Sequence, residues 1–171
     1  PDFQNVDEVF KILRAWGTAS IRAELLHQHR NLIKDTVVGE IEAGLKLTAS
    51  AVGKAEEMRT AYYHRIRTFM DTYEFMIMPV NQVPPFEVTT EYPTEINGIQ
   101  METYIDWMKS CYYISVLGHP AASVPCGFTA DGLPVGLQIV GRHHDDFGVL
   151  QLAHAFEKIT MVGEKFPGLL Q

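Results

Sequence analysis

Two apolar runs, Ala121–Phe128 and Pro134–Val140, flank the turn sequence Thr129-Ala130-Asp131-Gly132, and no other stretch constrains the chain as much. Asp-Gly between apolar runs is a strong hairpin signal, because glycine tolerates positive φ and the aspartate can hydrogen-bond its own turn. Val135, Leu137, Ile139 and Val140 suit a pleated surface. Little in either run is polar enough to face bulk water. The pair reads as buried central strands covered on both faces, which calls for a sheet flanked by helices. Pro120, Pro125 and Pro134 limit ladder donation, so bulges or strand ends belong there.

Helical periodicity dominates the first half. Val6, Val9 or Phe10, and Leu13 predict one helix, with Asn5 or Asp7 as a cap and an interruption at Gly17. A second pattern runs from Thr18 to Ile33, and a third from Thr36 to Leu45 with Asp35 as its cap. The clearest helix opens at Thr48. There Val52, Ala55, Met58, Tyr62, Ile66, Phe69 and Tyr73 recur every three or four residues and form one apolar stripe that should dock on the sheet. Phe75–Met78 is too short and apolar for a surface helix and is predicted to be a buried strand. Four prolines between Pro79 and Gly98 mark a long loop, a length that in a compact domain often serves function. Met101 to about Lys109 reads as a short helix or turn. Asp145 or Asp146 should cap a last amphipathic helix, Phe147–Thr160.

The 171 residues, 46% of them hydrophobic, suffice for one domain with a real core. This reading makes 1–73 mainly helical and 74–171 a strand, a long loop, a hairpin and a terminal helix. The net charge of −7 argues against a nucleic-acid footprint and against a polybasic membrane surface. No apolar run reaches the about 18 residues of a transmembrane span. The first residue is Pro1 rather than Met, so a leader segment would be hidden from view. Cys111 and Cys126 form no metal motif and read as buried free thiols of a reducing, cytoplasmic compartment.

Acyl transfer needs a nucleophile, a base within reach and an oxyanion hole. None of Ser20, Ser50, Ser110, Ser115 and Ser123 lies in a Gly/Ser-rich turn or a G-x-S-x-G elbow. Ser123 reads as a core hydroxyl within a buried strand. His143-His144-Asp145-Asp146 fits a helix cap better than a metal cluster, and His27 and His29 fall on different faces of a helix. Cys126 has no base near it in sequence. The glycines form no phosphate-binding loop. No metal or other cofactor is expected.

Gly118-His119-Pro120-Ala121-Ala122-Ser123-Val124-Pro125-Cys126-Gly127-Phe128 followed by Asp131-Gly132-Leu133-Pro134-Val135-Gly136-Leu137-Gln138-Ile139-Val140-Gly141-Arg142 resembles the C-terminal signature of amidase signature enzymes. That pattern runs G-x-P-A-x-x-V-P-x-G, a short turn, then D/E-G-L-P-V-G-x-Q-x-x-G. Tyr73-Glu74-Phe75-Met76-Ile77-Met78-Pro79 resembles the family's Y-D-x-L-L-x-P strand, and the likeness extends over nearly the whole chain. His119 departs from it, since a small apolar residue is usual there.

The resemblance implies an α/β fold, specifically the C-terminal part of an amidase-signature α/β/α sandwich whose mixed sheet strands are covered by helices. It also implies hydrolysis of a carboxamide through a seryl ester, on a Ser–cis-Ser–Lys triad that matches no segment here. This chain alone would then be inactive. In the family, the loop after the Y-D-x-L-L-x-P strand and the segment before G-x-P-A wall the substrate pocket. That points to Val80, Asn81, Gln82, Tyr104, Trp107 and Met108 as substrate-binding, with an aromatic or bulky amide suited to the Trp and Tyr walls. The expected partners are a small-molecule amide, the rest of the amidase domain and, for the parent, a second copy; neither nucleic acid nor membrane is expected. Two alternatives stand beside this reading: a glutaminyl-tRNA amidotransferase A-type subunit, and a non-catalytic interaction module.

Overall fold

The computed structural model describes residues 1–165, which fall into two compact units, Pro1–Ile66 and a second beginning at Arg67. The last six residues of the predicted 74–171 segment lie outside the described residues.

The first unit is helical. α1 (Val6–His29) runs without a break through Gly17 and ends in a 3₁₀ turn, Arg30–Leu32. This corrects the interruption expected at Gly17. A mid-helix glycine costs about 1 kcal/mol relative to alanine but leaves the hydrogen-bond ladder intact. α2 (Asp35–Leu45) follows, and Asp35 is its first helical residue rather than its cap, 3.9 Å from Arg30 in an ion pair. α1 and α2 bury Val6, Val9, Ala15, Ala19, Val38 and Ile41. They approach closely at Gly44, where a Cβ would collide with the Ala15 carbonyl and reach 2.6 Å from the Ala19 Cβ. α3 (Ala49–Thr72) starts at Thr48, whose hydroxyl accepts from Ala51 N at 3.1 Å. Of its stripe, Ala55, Tyr62 and Ile66 are buried. The Tyr62 ring lies 6.2 Å from Phe3, and one turn away Arg65 donates to the Gln4 carbonyl at 2.7 Å.

The second unit is built on a sheet of β1 (Phe75–Pro79), β4 (Ala121–Phe128) and β5 (Pro134–Gly141), in the order β1-β5-β4 with both pairings antiparallel. A separate two-residue hairpin, β2 (Glu95–Ile96) and β3 (Ile99–Gln100), turns through Asn97-Gly98. Among the described residues the 121–141 hairpin forms as expected, with Gly132 at φ 80° and Thr129 N donating to the Leu133 carbonyl at 2.8 Å. Among the described residues only β5 is central, however. β1 and β4 are edge strands, so the expectation of buried strands is corrected for both. Ile77 is 55% exposed, and Ala121, Ser123 and Pro125 are exposed along β4. Ser123 is therefore no core hydroxyl.

The two sheet faces are covered differently. Opposite partners in an antiparallel pair share a face, so Phe75, Ile139, Leu137, Ala122 and Val124 lie together. They pack against Val149, Leu152, Ala153 and Phe156 of α5 (Asp146–Thr160). The cap of α5 is Asp145, whose carboxylate accepts from Gly148 N at 3.0 Å. On the other face the Gln138 amide donates to the Ser110 carbonyl of α4 (Lys109–Ser115) at 3.1 Å. A bulge at Cys126 interrupts the ladder, because Pro125 pairs with Gly136 while Gly127 pairs with Val135.

Candidate functional site

β1 delivers the chain to Pro79, and the residues after it are fixed by backbone groups. Val80 N donates to the Gly136 carbonyl at 3.3 Å. The Val80 carbonyl accepts from the Ser110 hydroxyl at 2.6 Å and from the Cys111 thiol at 2.9 Å. Gln82 donates its amide to the Asp106 carbonyl at 3.3 Å. These bonds join the loop after β1 to the 3₁₀ turn Asp106–Met108 that leads into α4. Asp106 itself is buried, and its carboxylate accepts from Thr103 N at 2.7 Å and Thr103 Oγ1 at 2.9 Å. Burial raises the Cys111 thiol pKa above its ordinary value, against a smaller lowering by the Ser110 hydroxyl.

The loop, the turn and the strands line an open cavity of about 670 Å³, within the range of small-molecule sites. Ile77, Met78, Val135 and Leu137 come from the strands, Pro84, Pro85 and Phe86 from the loop, and Trp107 from the turn. Asn81, Gln82 and Cys126 bring the polar atoms. Phe86 meets Trp107 edge to face, with centroids 5.4 Å apart at 84°. The Trp107 indole nitrogen is buried with no hydrogen-bond partner among the described residues.

Of the residues expected to touch substrate, Asn81, Gln82 and Trp107 converge on this cavity. Tyr104 stands behind Trp107 at 6.4 Å, edge on, while Val80 and Met108 lie outside the lining. Phe86 and Cys126 are additions to the expected set. Pro84-Pro85-Phe86 offers a local signal for the first, a rigid turn ending in an aromatic. Nothing in the sequence signals the second, because the bulge that places it depends on pairing with β5.

A second cavity, about 500 Å³, lies at the other end of the β4–β5 pair and is lined by Ser115, His119, Gln138, His143, His144 and Asp146, among others. His119 is buried and faces His143 at 5.8 Å between ring centroids. Burial lowers the His119 pKa, the charge on His143 lowers it further, and a backbone hydrogen bond with Leu117 opposes both. His119 does not line the Trp107 cavity. Among the described residues no three His, Cys, Asp or Glu side chains are grouped to hold a metal ion.

Three of the serines have other engagements. Ser110 bonds Val80, Ser115 the Cys111 carbonyl at 3.2 Å, and Ser20 the Trp16 carbonyl at 2.8 Å. Neither cysteine is in a disulfide.

The amidase family model matches residues 3–150. The chain belongs to the amidase family. This amidase family chain is 34% identical over 139 residues to an acylamidase of Rhodococcus erythropolis, covering 81% of this chain and 29% of that protein. It is 36% identical over 109 residues to the A-type subunit of the glutamyl-tRNA(Gln) amidotransferase of Thermodesulfovibrio yellowstonii, covering 63% and 21%. Among solved structures, a bacterial aryl acylamidase of the amidase signature family superposes with a TM-score of 0.79 at 25% identity, covering 92% of this chain and 34% of that one. A second amidase gives 0.84 at 26%, covering 92% and 36%. The chain thus spans about a third, or less, of the proteins it matches. Its fold is that of the amidase signature enzymes, with helices on both faces of the sheet. Among the described residues no helix is long and apolar enough to cross a membrane.

Proposed function

We propose that this chain is the C-terminal part of one amidase domain that hydrolyses a carboxamide C–N bond. The acyl group would pass to a serine supplied by the remainder of the protein, with the amine or ammonia leaving protonated, and water would then release the acid from the seryl ester. The Ser–Ser–Lys triad belongs to that remainder. The chain's own contribution is a wall of the substrate site, with Asn81, Gln82 and Trp107 facing the amide and Val80, Tyr104 and Met108 supporting them.

The observation that carries this reading is the Trp107 cavity. It is of ligand size, it is largely apolar, and it forms where two segments matched by the family meet a shared strand. An uncharged amide with an apolar substituent fits it better than an ion, because a charge buried there would meet no opposite charge on this lining.

The test compares amide hydrolysis by the complete protein and by the purified 171-residue chain. Activity confined to the complete protein supports the reading. Specific hydrolysis by the chain alone refutes the division of labour, and inactivity of both refutes the enzyme and leaves an interaction module.

The amidotransferase relative supports a second reading, in which the parent is the A-type subunit of a glutamyl-tRNA amidotransferase. Glutamine hydrolysis that depends on added partner proteins would favour it over the stand-alone amidase.

A further inference from the structure

We propose that Phe86 is the specificity-determining wall of the Trp107 cavity and sets the largest apolar group of an uncharged amide that the enzyme accepts. This rests on the reading of that cavity as the substrate site.

The two aromatic walls are held very differently. Trp107 sits on a 3₁₀ turn locked from three directions: Thr103 donates twice to the Asp106 carboxylate, Gln82 donates to the Asp106 carbonyl, and Tyr104 packs against the indole. It is a fixed platform. Phe86 belongs to no helix or strand and is 39% exposed. Its approach to the cavity is set from one side by Pro84 and Pro85, whose rings restrict the backbone. On the other side its ring meets Trp107 edge to face. Removing the Phe86 ring therefore enlarges the cavity without stripping a partner from a buried polar group or breaking a ladder.

The remaining lining explains why size and polarity would be read here. Ile77, Met78, Val135 and Leu137 supply apolar lining from the strands, while Asn81 and Gln82 supply neutral amides. Neither carboxylate nor ammonium nor guanidinium occurs on the described lining. Discrimination then follows from how much apolar volume fits between the lining strands and Phe86, a quantity that changes stepwise with each added methylene or ring.

The experiment uses the complete enzyme with Phe86→Ala, Phe86→Trp and Cys126→Phe, each confirmed folded by its melting transition. Substrates are acetamide, hexanamide and benzamide for acyl size, and N-methylacetamide and acetanilide for amine size. In one of the two series, Phe86→Ala should raise the ratio of kcat/KM for the bulky over the small amide by about tenfold or more, and Phe86→Trp should lower it. Equal losses for every substrate, or unchanged ratios, would overturn the proposal. Cys126→Phe narrows the same cavity from the strand side and separates two failures. If it raises KM for the bulky amide while the Phe86 variants leave the ratios alone, the role of Phe86 falls and the cavity stands. If it also leaves KM unchanged, the cavity is not the substrate site and the functional reading falls with it.

Discussion

Single residues here act mainly by excluding alternatives. Gly44 is required by the close approach of α2 to the Ala15 carbonyl, so Gly44→Ala should push the helices apart and destabilise the fold by about 1–3 kcal/mol, the usual scale for overpacking. Chemical denaturation of the variant against Gly17→Ala, where a Cβ meets nothing within 4 Å, isolates the effect. Gly17→Ala should be neutral or stabilising. His119 acts through its proton. Its folded pKa lies below the unfolded value, so the unfolded chain binds the proton more readily. The stability it contributes is complete above the unfolded pKa, about 6.5, and is lost as pH falls through that value toward the folded one. His143, His144 and Asp146 line the same cavity. Urea midpoints followed from pH 8 to 5 should therefore fall more steeply for the wild type than for His119→Gln. Equal slopes would show that the imidazole's burial has no energetic consequence.

At the scale of elements, caps and turns decide where each segment stops. Asp145→Ala removes the acceptor for Gly148 N at the start of α5, and a loss of about 1 kcal/mol is expected in thermal or urea unfolding. Helix boundaries of this kind are readable in the sequence. Thr48 and Asp145 announce themselves as side-chain acceptors just ahead of a periodic stripe, and α3 and α5 follow them. The Asp131-Gly132 turn and its two strands are readable for the same local reason. What escapes is set by distant partners. Gly17 looks like a stop signal, yet α1 continues because helix packing against α2 outweighs a local propensity cost. The run Ala121–Phe128 is apolar enough for a central strand, but strand order places it at an edge. The hairpin Glu95–Gln100 escapes for a different reason: it is too short to show a pattern after the proline-rich stretch that precedes it, although Asn97-Gly98, at φ 51° and 79°, is a strong two-residue turn signal. At the candidate site, Asn81, Gln82 and Trp107 could be brought forward from the sequence because the family resemblance points to the segments that carry them, and all three line the cavity. Cys126 is not, since Pro79, Asn81 to Phe86 and Trp107, which line the cavity with it, are distant in sequence.

At the largest scale, β1 and β4 lie at the edges of the sheet among the described residues, and this sets the expectation for the isolated chain. Edge strands present unpaired backbone donors and acceptors, and exposed apolar residues such as Ile77 and Leu133 accompany them. Sedimentation of the purified chain should show self-association, and the complete protein should not show association through the same strands. A cooperative, sharply melting monomer would mean that these edges are already protected. The bulge in β4 has a consequence of another kind. Up to Pro125 one set of alternate positions faces α5, with Val124 opposite Leu137, whereas beyond it Gly127 stands opposite Val135 on that same side. The strand thus carries two reading frames, even-numbered before the slip and odd-numbered after it. A deletion of Cys126 would merge them into one: every cross-strand pair on either side would survive, the strand would straighten, and the cavity would lose the one residue whose presence there depends on the miscount.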